Sequence, residues 1–468
     1  MDIKLLLSNI QNTSHSLDVT GLSLNSQSLK KGDLFVALQG EQKHGSEFIN
    51  NAIDNGCVAV LVEDKDIECA VPCIRIDGLS SCLSKLAQNF YQKAKNVELI
   101  GVTGTNGKTS VSHFISQLLE ALDVKSGVIG TLGISHLNKK TINTTPDIFT
   151  IYSALHDYNN QGIEIAIVEA SSHALLQERL AGLSFIQGIF TNLTQDHLDY
   201  HDTMEKYREA KGKLFINNPT MKVIINRDDE NHPYFLDISS DKETETFSIN
   251  DLGYFKNNEK GFICELNSFV FELPLLGHFN LSNALAGYTS LKLLGYNDEQ
   301  IIPTLSTLLS PPGRMQKLDK HKIWIDYAHT PDALLNALST LKIHYPESTI
   351  RVLFGCGGDR DKTKRPLMAS VACNLSNQVI LTSDNPRSEN PDTIIEDMMR
   401  NLDPVQIKKV LVITDRRQAI RTACRLANAN DIVLVAGKGH EKHQEINGEK
   451  FPFDDLEELK QSLNIIIQ

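Results

Sequence analysis

Six consecutive residues, Gly104-Thr-Asn-Gly-Lys-Thr109, put two glycines, a lysine and a hydroxyl into one short turn. Glycines let a backbone wrap around phosphate oxygens, and a helix that follows points its N–H groups at the anion. In such a turn Lys108 supplies a cation for the outer phosphates and Thr109 a hydroxyl for Mg²⁺. The spacing departs from the common phosphate loop, which needs a glycine at position 102, where Val102 stands. A plain glycine turn would account for Gly104 and Gly107, but not for the whole series of apolar strand, turn, Lys-Thr and helix. Glu169 ends a predicted strand over 164–168, where an α/β sheet binds its ligands. Beside a phosphate loop that carboxylate suits Mg²⁺, although a strand-end glutamate by itself is an ordinary surface group. Asn280 and Asn283 open a predicted helix and share one face of it. An amide both donates and accepts, so the pair can read an adenine edge, while Asn280 could equally cap the helix. His197 and Lys211 are unremarked by chemistry alone: a lone histidine is commonly structural, and a helical lysine commonly solvated. Asp384-Asn-Pro-Arg387 follows a short apolar strand, where a binding loop belongs, although Asn-Pro is also turn chemistry.

These groups need a scaffold, and apolar periodicity supplies one. Strands are predicted at 33–38, 58–62 and 73–76, with helices over 48–55 and 79–94. A second stretch opens with the strand Val97–Thr103, then the glycine turn and a helix to about Leu122. Strands near 164–168, 186–191 and 222–226 alternate with helical stretches, which favours an α/β domain with a largely parallel sheet. Residues 236–276 are more irregular, with room for a small antiparallel patch, and Phe279–Leu294 reads as a helix. Pro311-Pro312-Gly313 breaks the pattern. From Lys322 the alternation resumes, with strands near 323–327, 350–355, 378–382, 410–413 and 432–436. This outline is Rossmann-like, yet it lacks the GxGxxG fingerprint. The expected fold class is therefore α/β with three domains: residues 1–95, 96–313 and 314–468.

Composition sets limits on what the chain does. Its 468 residues carry a net charge of −12, without the basic face a general nucleic-acid binder wants. Met1–Ile10 is too poor in apolar and basic residues for a secretory signal, and no stretch approaches the ~20 apolar residues of a membrane span. The eight cysteines are scattered and form no CxxC pair, so neither a zinc site nor a dithiol motif is expected. Free thiols fit the cytoplasm.

Thr103-Gly-Thr-Asn-Gly-Lys-Thr109 resembles the ATP loop shared by Mur ligases and folylpolyglutamate synthetases. The resemblance to the Mur ligase family then runs along the whole chain in order. It implies three domains that bind, in turn, a UDP-linked substrate, ATP and an amino acid. ATP would be held by Gly104, Thr105, Asn106, Gly107, Lys108, Thr109 and Ser110, with Asn280, Asn283, Arg314 and Asp326. By the same resemblance Thr109, Glu169 and His197 would hold Mg²⁺, and Lys211 would be carbamylated and join them. Capture of CO2 needs the neutral amine, hence a depressed lysine pKa. Lys108, Glu169, His197 and Lys211 form the implied catalytic set.

Further strings narrow the branch. Asn143, Thr144 and Thr145, with Ser171, Gln177 and Arg179, match positions that hold a UDP-muramoyl dipeptide. Leu24, Ser26 and the loop Glu41, Gln42, Lys43 resemble the uridine site, although the loop departs from the commoner His-Gln-Ala form and Asn25-Ser-Gln27 from Asp-Ser-Arg. Asp384, Asn385, Pro386 and Arg387, with Arg360, Gly437 and Glu441, match the positions that read meso-diaminopimelate. A guanidinium pairs bidentately with the carboxylate that distinguishes this substrate from lysine, and lysine would leave a buried arginine unpaired. The resemblance thus implies an ATP-dependent ligase that adds meso-diaminopimelate to the D-glutamyl γ-carboxylate of the dipeptide through an acyl phosphate, in peptidoglycan precursor synthesis. The expected setting is the bacterial cytoplasm, with a monomer acting on small molecules and no nucleic acid. Rival readings are an L-lysine-adding ligase, a folylpolyglutamate synthetase, a D-Ala-D-Ala-adding ligase, and a silent binding protein, against which Lys108, Glu169, His197 and Lys211 speak.

Overall fold

The computed structural model describes the chain except residues 41–42, 64–66, 319–320, 429 and 468. The chain forms two compact units. The first comprises Met1–Thr103, Asp123–Gly188 and Lys213–Met221; the second comprises Gly104–Leu122, Ile189–Gly212 and Lys222–Gln468.

In the first unit, Leu22–Ser23, Leu34–Ala37, Ala59–Val62 and Cys73–Arg75 form a parallel four-stranded sheet in that order. The two middle strands are buried throughout, because a parallel sheet covered on both faces needs apolar residues at every position. The expected helix over 79–94 ends at Phe90: Tyr91 leaves helical dihedrals, and a 3₁₀ turn covers Gln92–Asn96. Elsewhere in this unit Ile165–Glu169 runs parallel between Glu98–Thr103 and Ser126–Gly130. Ser126–Gly130 was not expected, since its two glycines weaken the strand pattern in the sequence.

In the second unit the helix Lys108–Ala121 packs against His278–Leu293. A Cβ on Gly287 would come within 3.1 Å of Leu118, so the missing side chain lets the helices approach closely. The antiparallel patch exists as three strands, Tyr254–Asn258, Gly261–Leu266 and Phe269–Leu273. The last part of the chain builds a six-stranded sheet in the order 316–317, 323–326, 432–436, 350–354, 378–381, 410–412. All its pairings are parallel except the first. Alternate residues serve opposite faces. Trp324, Val352, Phe354, Leu381 and Leu434 enter one core, while Ile325, Leu353, Ile380, Val433 and Val435 enter the other. This is a doubly wound arrangement. Two short features were missed: the edge strand Gln316–Lys317 and the hairpin His443–Ile446 with Glu449–Pro452, both rich in polar residues. Among the described residues no helix is long and apolar enough to cross a membrane.

Candidate active site

The glycine turn Gly104–Thr109, expected to bind phosphate, leads into a helix, and its neighbours explain its shape. Gly107 takes φ +85° and leads directly into Lys108–Ala121. A Cβ there would lie 2.6 Å from Asn283 Oδ1, and one on Gly104 would lie 1.9 Å from Thr191 Oγ1. Both positions therefore require glycine. Thr191, Asn192 and Thr194 hold the loop from outside: Thr105 N donates to Asn192 O at 2.8 Å, and Asn106 N to Asn192 Oδ1 at 2.9 Å. Thr105 Oγ1 donates to Thr194 O at 3.1 Å, and Thr191 Oγ1 to Asn106 O at 2.6 Å. The bracing role of these three residues was not legible in the sequence. Lys108 folds back over the loop, its Nζ donating to Gly104 O at 2.8 Å and Thr105 O at 2.9 Å. Thr109 and Ser110 are buried on the first turn of the helix, and Thr109 Oγ1 accepts from Arg314 Nη2 at 3.2 Å.

Lys211 corrects the plain chemical expectation of a solvated side chain. It lies on the helix Met204–Ile216 but is only 1% exposed. Its Nζ donates to Gly104 O at 2.7 Å and stands 4.2 Å from the centre of the Tyr207 ring. Burial, reinforced by the charge of Lys108, pushes its ammonium well below the ordinary lysine value, despite the opposing pull of Asp196. His197 adopts φ +54° at the start of a short helix, its Nε2 3.5 Å from Asp196 Oδ2. Burial alone would raise the Asp196 carboxyl, but His197, His329 and Lys364 overcome this and hold it below its usual range.

Asn280 is not the helix cap. Gly277 occupies that position, and Asn280 Nδ2 donates back to Leu276 O at 2.8 Å. Asn283 Nδ2 reaches Asn280 Oδ1 at 3.3 Å, so the two amides do share a face. Asp326 is occupied internally: its oxygens accept from Met315 N at 2.6 Å and Ala328 N at 2.8 Å. Burial raises its carboxyl, and Arg314 opposes this. The Arg314 guanidinium stacks 4.7 Å from the Tyr327 ring centre.

In the first unit Glu169 is fully buried at the end of its strand. Thr131 grips it twice, through N to Oε1 at 3.0 Å and through Oγ1 to Oε2 at 2.9 Å, and Thr144 Oγ1 lies 3.2 Å from Thr131 Oγ1. Thr145, Ser171, Gln177 and Arg179 interlock. Thr145 Oγ1 lies 3.0 Å from Ser171 Oγ, Arg179 Nη1 donates to Thr145 O at 2.7 Å, and Arg179 Nε donates to Gln177 Oε1 at 2.9 Å. Asn143 is exposed nearby in sequence. Leu24 and Ser26 follow the first strand of the four-stranded sheet, and Lys43 lies in the loop after the second. The strands are parallel, so both loops emerge at one edge. Ser26 is buried, and Lys43 O accepts from Gly40 N at 2.9 Å. Glu41 and Gln42 lie outside the described residues.

The third group gathers at the C-terminal edge of the six-stranded sheet, where loops follow neighbouring parallel strands. A Cβ on Gly357 would lie 3.0 Å from Arg387 Nη1 and 3.7 Å from Arg360 Cγ, so both guanidinium side chains flank that glycine. Gly358 N donates to Asn385 O at 2.9 Å, which ties the two loops together beside Pro386. Asn385 Nδ2 donates to Glu441 Oε2 at 2.8 Å. Gly437, at φ +105°, leaves room for Asp384, whose Oδ2 would lie 2.6 Å from a Cβ there. Arg387, expected as a buried arginine, is partly exposed and has protein partners of its own. Its side chain is 23% exposed, Nη1 donates to Gly358 O at 2.7 Å, and Nε lies 3.2 Å from Glu445 Oε2. The residue itself sits at φ +50°, its N–H donating to Glu445 O in the 443–446 strand and its carbonyl accepting from Asn447 N just beyond it.

Comparison with known proteins bears on the family and the fold. Sequence profiles of the Mur ligase family catalytic domain, the Mur ligase middle domain and the Mur ligase glutamate ligase domain match residues 18–91, 102–291 and 313–439. A UDP-N-acetylmuramoyl-L-alanyl-D-glutamate–2,6-diaminopimelate ligase of Bacteroides thetaiotaomicron is 38% identical over 463 residues, 96% of either chain. The enzyme of that name from Pseudomonas aeruginosa is 39% identical over 462 residues, 94% of either chain. A solved structure of an enzyme of this name is 35% identical, covers 100% of this chain and 99% of its own, and superposes with TM-score 0.67. A MurF ligase of Thermotoga maritima, solved with ADP, is only 19% identical yet superposes with TM-score 0.67 over 96% of this chain and 97% of its own, which speaks for the fold alone. With family profiles along its length and relatives of this similarity over nearly all of it, the chain belongs to the Mur ligase family.

Proposed function

We propose that this ligase joins meso-diaminopimelate to the D-glutamyl γ-carboxylate of UDP-N-acetylmuramoyl-L-alanyl-D-glutamate at the expense of ATP. The observation that carries the reading is the convergence, at one sheet edge, of groups suited to an amino-acid head: Arg360 and Arg387 around Gly357, and Asn385 against Glu441. Relatives bearing the name of this reaction cover nearly the whole chain. In this reading residues 1–95 take the UDP moiety, 96–313 the ATP, and 314–468 the amine. Thr131 orients Glu169, and the Thr145–Ser171–Arg179 set receives the dipeptide. Lys108 leaves the loop carbonyls and turns to the nucleotide phosphates. The γ-carboxylate is phosphorylated, the amine attacks the acyl phosphate, and phosphate leaves; the protein contributes mainly positioning and charge neutralisation.

Mg²⁺ fits the donor set. Among the described residues there is no cluster of three or more histidine, cysteine or carboxylate groups that could cage a metal. Mg²⁺ is commonly held by one or two protein groups plus phosphate oxygens and water. Thr109, Glu169, His197 and a carbamylated Lys211 would hold it, and bound there it would neutralise phosphate charge. The depressed pKa of Lys211 leaves more of the amine free to take up CO2. A soluble monomer in the bacterial cytoplasm completes the reading.

Phosphate release from ATP, with the UDP-dipeptide present, tests it. We expect release with meso-diaminopimelate, none with L-lysine or without amine, a product mass that matches the amide, and no release by Lys108→Ala. Release with L-lysine alone would favour a second reading, the lysine-adding ligase. One observation speaks for that alternative: Glu445 already lies beside Arg387 and meets its charge without a ligand carboxylate. Silence with every amine would refute both.

A further inference from the structure

Lys438 belongs to none of the substrate contacts assigned above, yet it is fully buried at the centre of the amine-reading loops. An ammonium has three protons and no acceptor. This one meets three acceptors: Glu441 Oε2 at 2.9 Å, Asn385 Oδ1 at 3.0 Å and Asp384 Oδ1 at 3.5 Å. A buried lysine without such partners would be severely destabilising. Here each partner sits at a position proposed to read the amine substrate.

The contacts do more than neutralise charge. The two ends of an asparagine amide are nearly the same shape, so hydrogen bonds decide which end faces where. Asn385 Oδ1 receives two donors that cannot accept, Lys438 Nζ and the Glu445 backbone N–H at 3.0 Å. Its Nδ2 is therefore turned toward Glu441. Both that bond and the bond from Lys438 fall on Glu441 Oε2, which fixes the rotation of the carboxylate. The short reach from Gly437 to Lys438 explains the adjacent glycine, since a Cβ at 437 would strike Asp384.

We propose that Lys438 is a positioning residue for amine selection: it sets the orientation of Asn385, Glu441 and Asp384 before the amino acid arrives, and touches no substrate itself. The proposal rests on the reading of these loops as the amine site. Its test compares the full chain with Lys438→Met and Glu441→Gln, measuring KM for meso-diaminopimelate, ATP and the UDP-dipeptide in turn. For both variants we expect KM for diaminopimelate to rise by about tenfold or more, with the other two KM values within about twofold of the parent. The double variant should be little worse than the poorer single one, because Lys438 acts through Glu441. KM does not depend on the fraction of enzyme that is folded, so a poorly yielding variant still decides. Should Lys438→Met give no soluble protein, Lys438→Arg is measured the same way. Its planar fork cannot bring one nitrogen to all three acceptors, and the same selective rise is expected. An unchanged diaminopimelate KM in Glu441→Gln would remove the amine site, and the proposal with it. A raised value there beside an unchanged one in the Lys438 variant, or equal rises in all three KM values, would overturn the proposal alone.

Discussion

Lys211 shows how far a residue's chemistry depends on where the fold takes it. Its sequence neighbours, Glu209 and Lys213, suggest a wet helix face, and nothing in the spacing announces a side chain 1% exposed under the phosphate loop. Only the family resemblance singled it out. Its ammonium titrates below the ordinary lysine value of 10.5, first through burial and then through Lys108. Between the folded and unfolded pKa values the unfolded chain binds the extra proton, so stability must rise with pH through that window. Lys211→Met removes the penalty. In CO2-free buffer we expect the variant to be at least as stable as the parent at neutral pH, the margin narrowing as pH climbs toward 10.5, read as denaturant midpoints between about pH 6 and pH 10. Lys211→Ala should be inactive, with partial recovery on adding a short carboxylate. Lys108 and Glu169 were far more legible, because a glycine-rich turn and a strand end each state their geometry in the sequence.

At the scale of elements, the strands of the doubly wound sheet could be read because each is an unbroken apolar run bounded by turn residues. The strand over 432–436 appears at its expected limits, while Ser126–Gly130 escaped because glycine carries no pattern. Caps were harder. Ser171 lies in a string read as substrate-binding, and it also caps the five-residue helix Ser172–Leu176, its Oγ accepting from Ala174 N at 3.3 Å. Thr145 approaches the same Oγ, so a substrate contact proposed for Ser171 would draw on the oxygen that caps. Ser171→Ala should therefore cost about 1 kcal/mol of stability and also raise KM for the UDP-dipeptide. Thermal melting and steady-state kinetics on the same preparation separate the two losses. A stability loss with an unchanged KM would leave Ser171 as a cap only.

Across the molecule, the order of motifs along the chain was plain from the sequence, whereas the way distant loops brace one another was not. Nothing in Gly313, Tyr327 or Gly437–Glu441 taken singly says that they meet. Gly439 is pressed between two of them: a Cβ there would lie 2.8 Å from Tyr327 Cβ and 2.9 Å from Gly313 O. Gly439→Ala should accordingly raise KM for ATP and for the amine together, unlike the selective loss expected at Lys438. A change in only one would show that the loop transmits nothing between its ends. The five residues 437–441 thus have two sides. The His440 ring lies tilted, 5.2 Å from the Tyr327 ring over which Arg314 sits, while Lys438 bonds to Glu441, proposed to read the amine. Whatever distortion one ligand imposes on this segment, the other must accept or resist. Thermodynamic linkage makes that influence reciprocal: if a nonhydrolysable nucleotide tightens amine binding by some factor, the amine must tighten nucleotide binding by the same factor. With such a coupling, amine affinity and nucleotide affinity would not be independently adjustable traits, and a substitution in this loop that shifts one would shift the other with it.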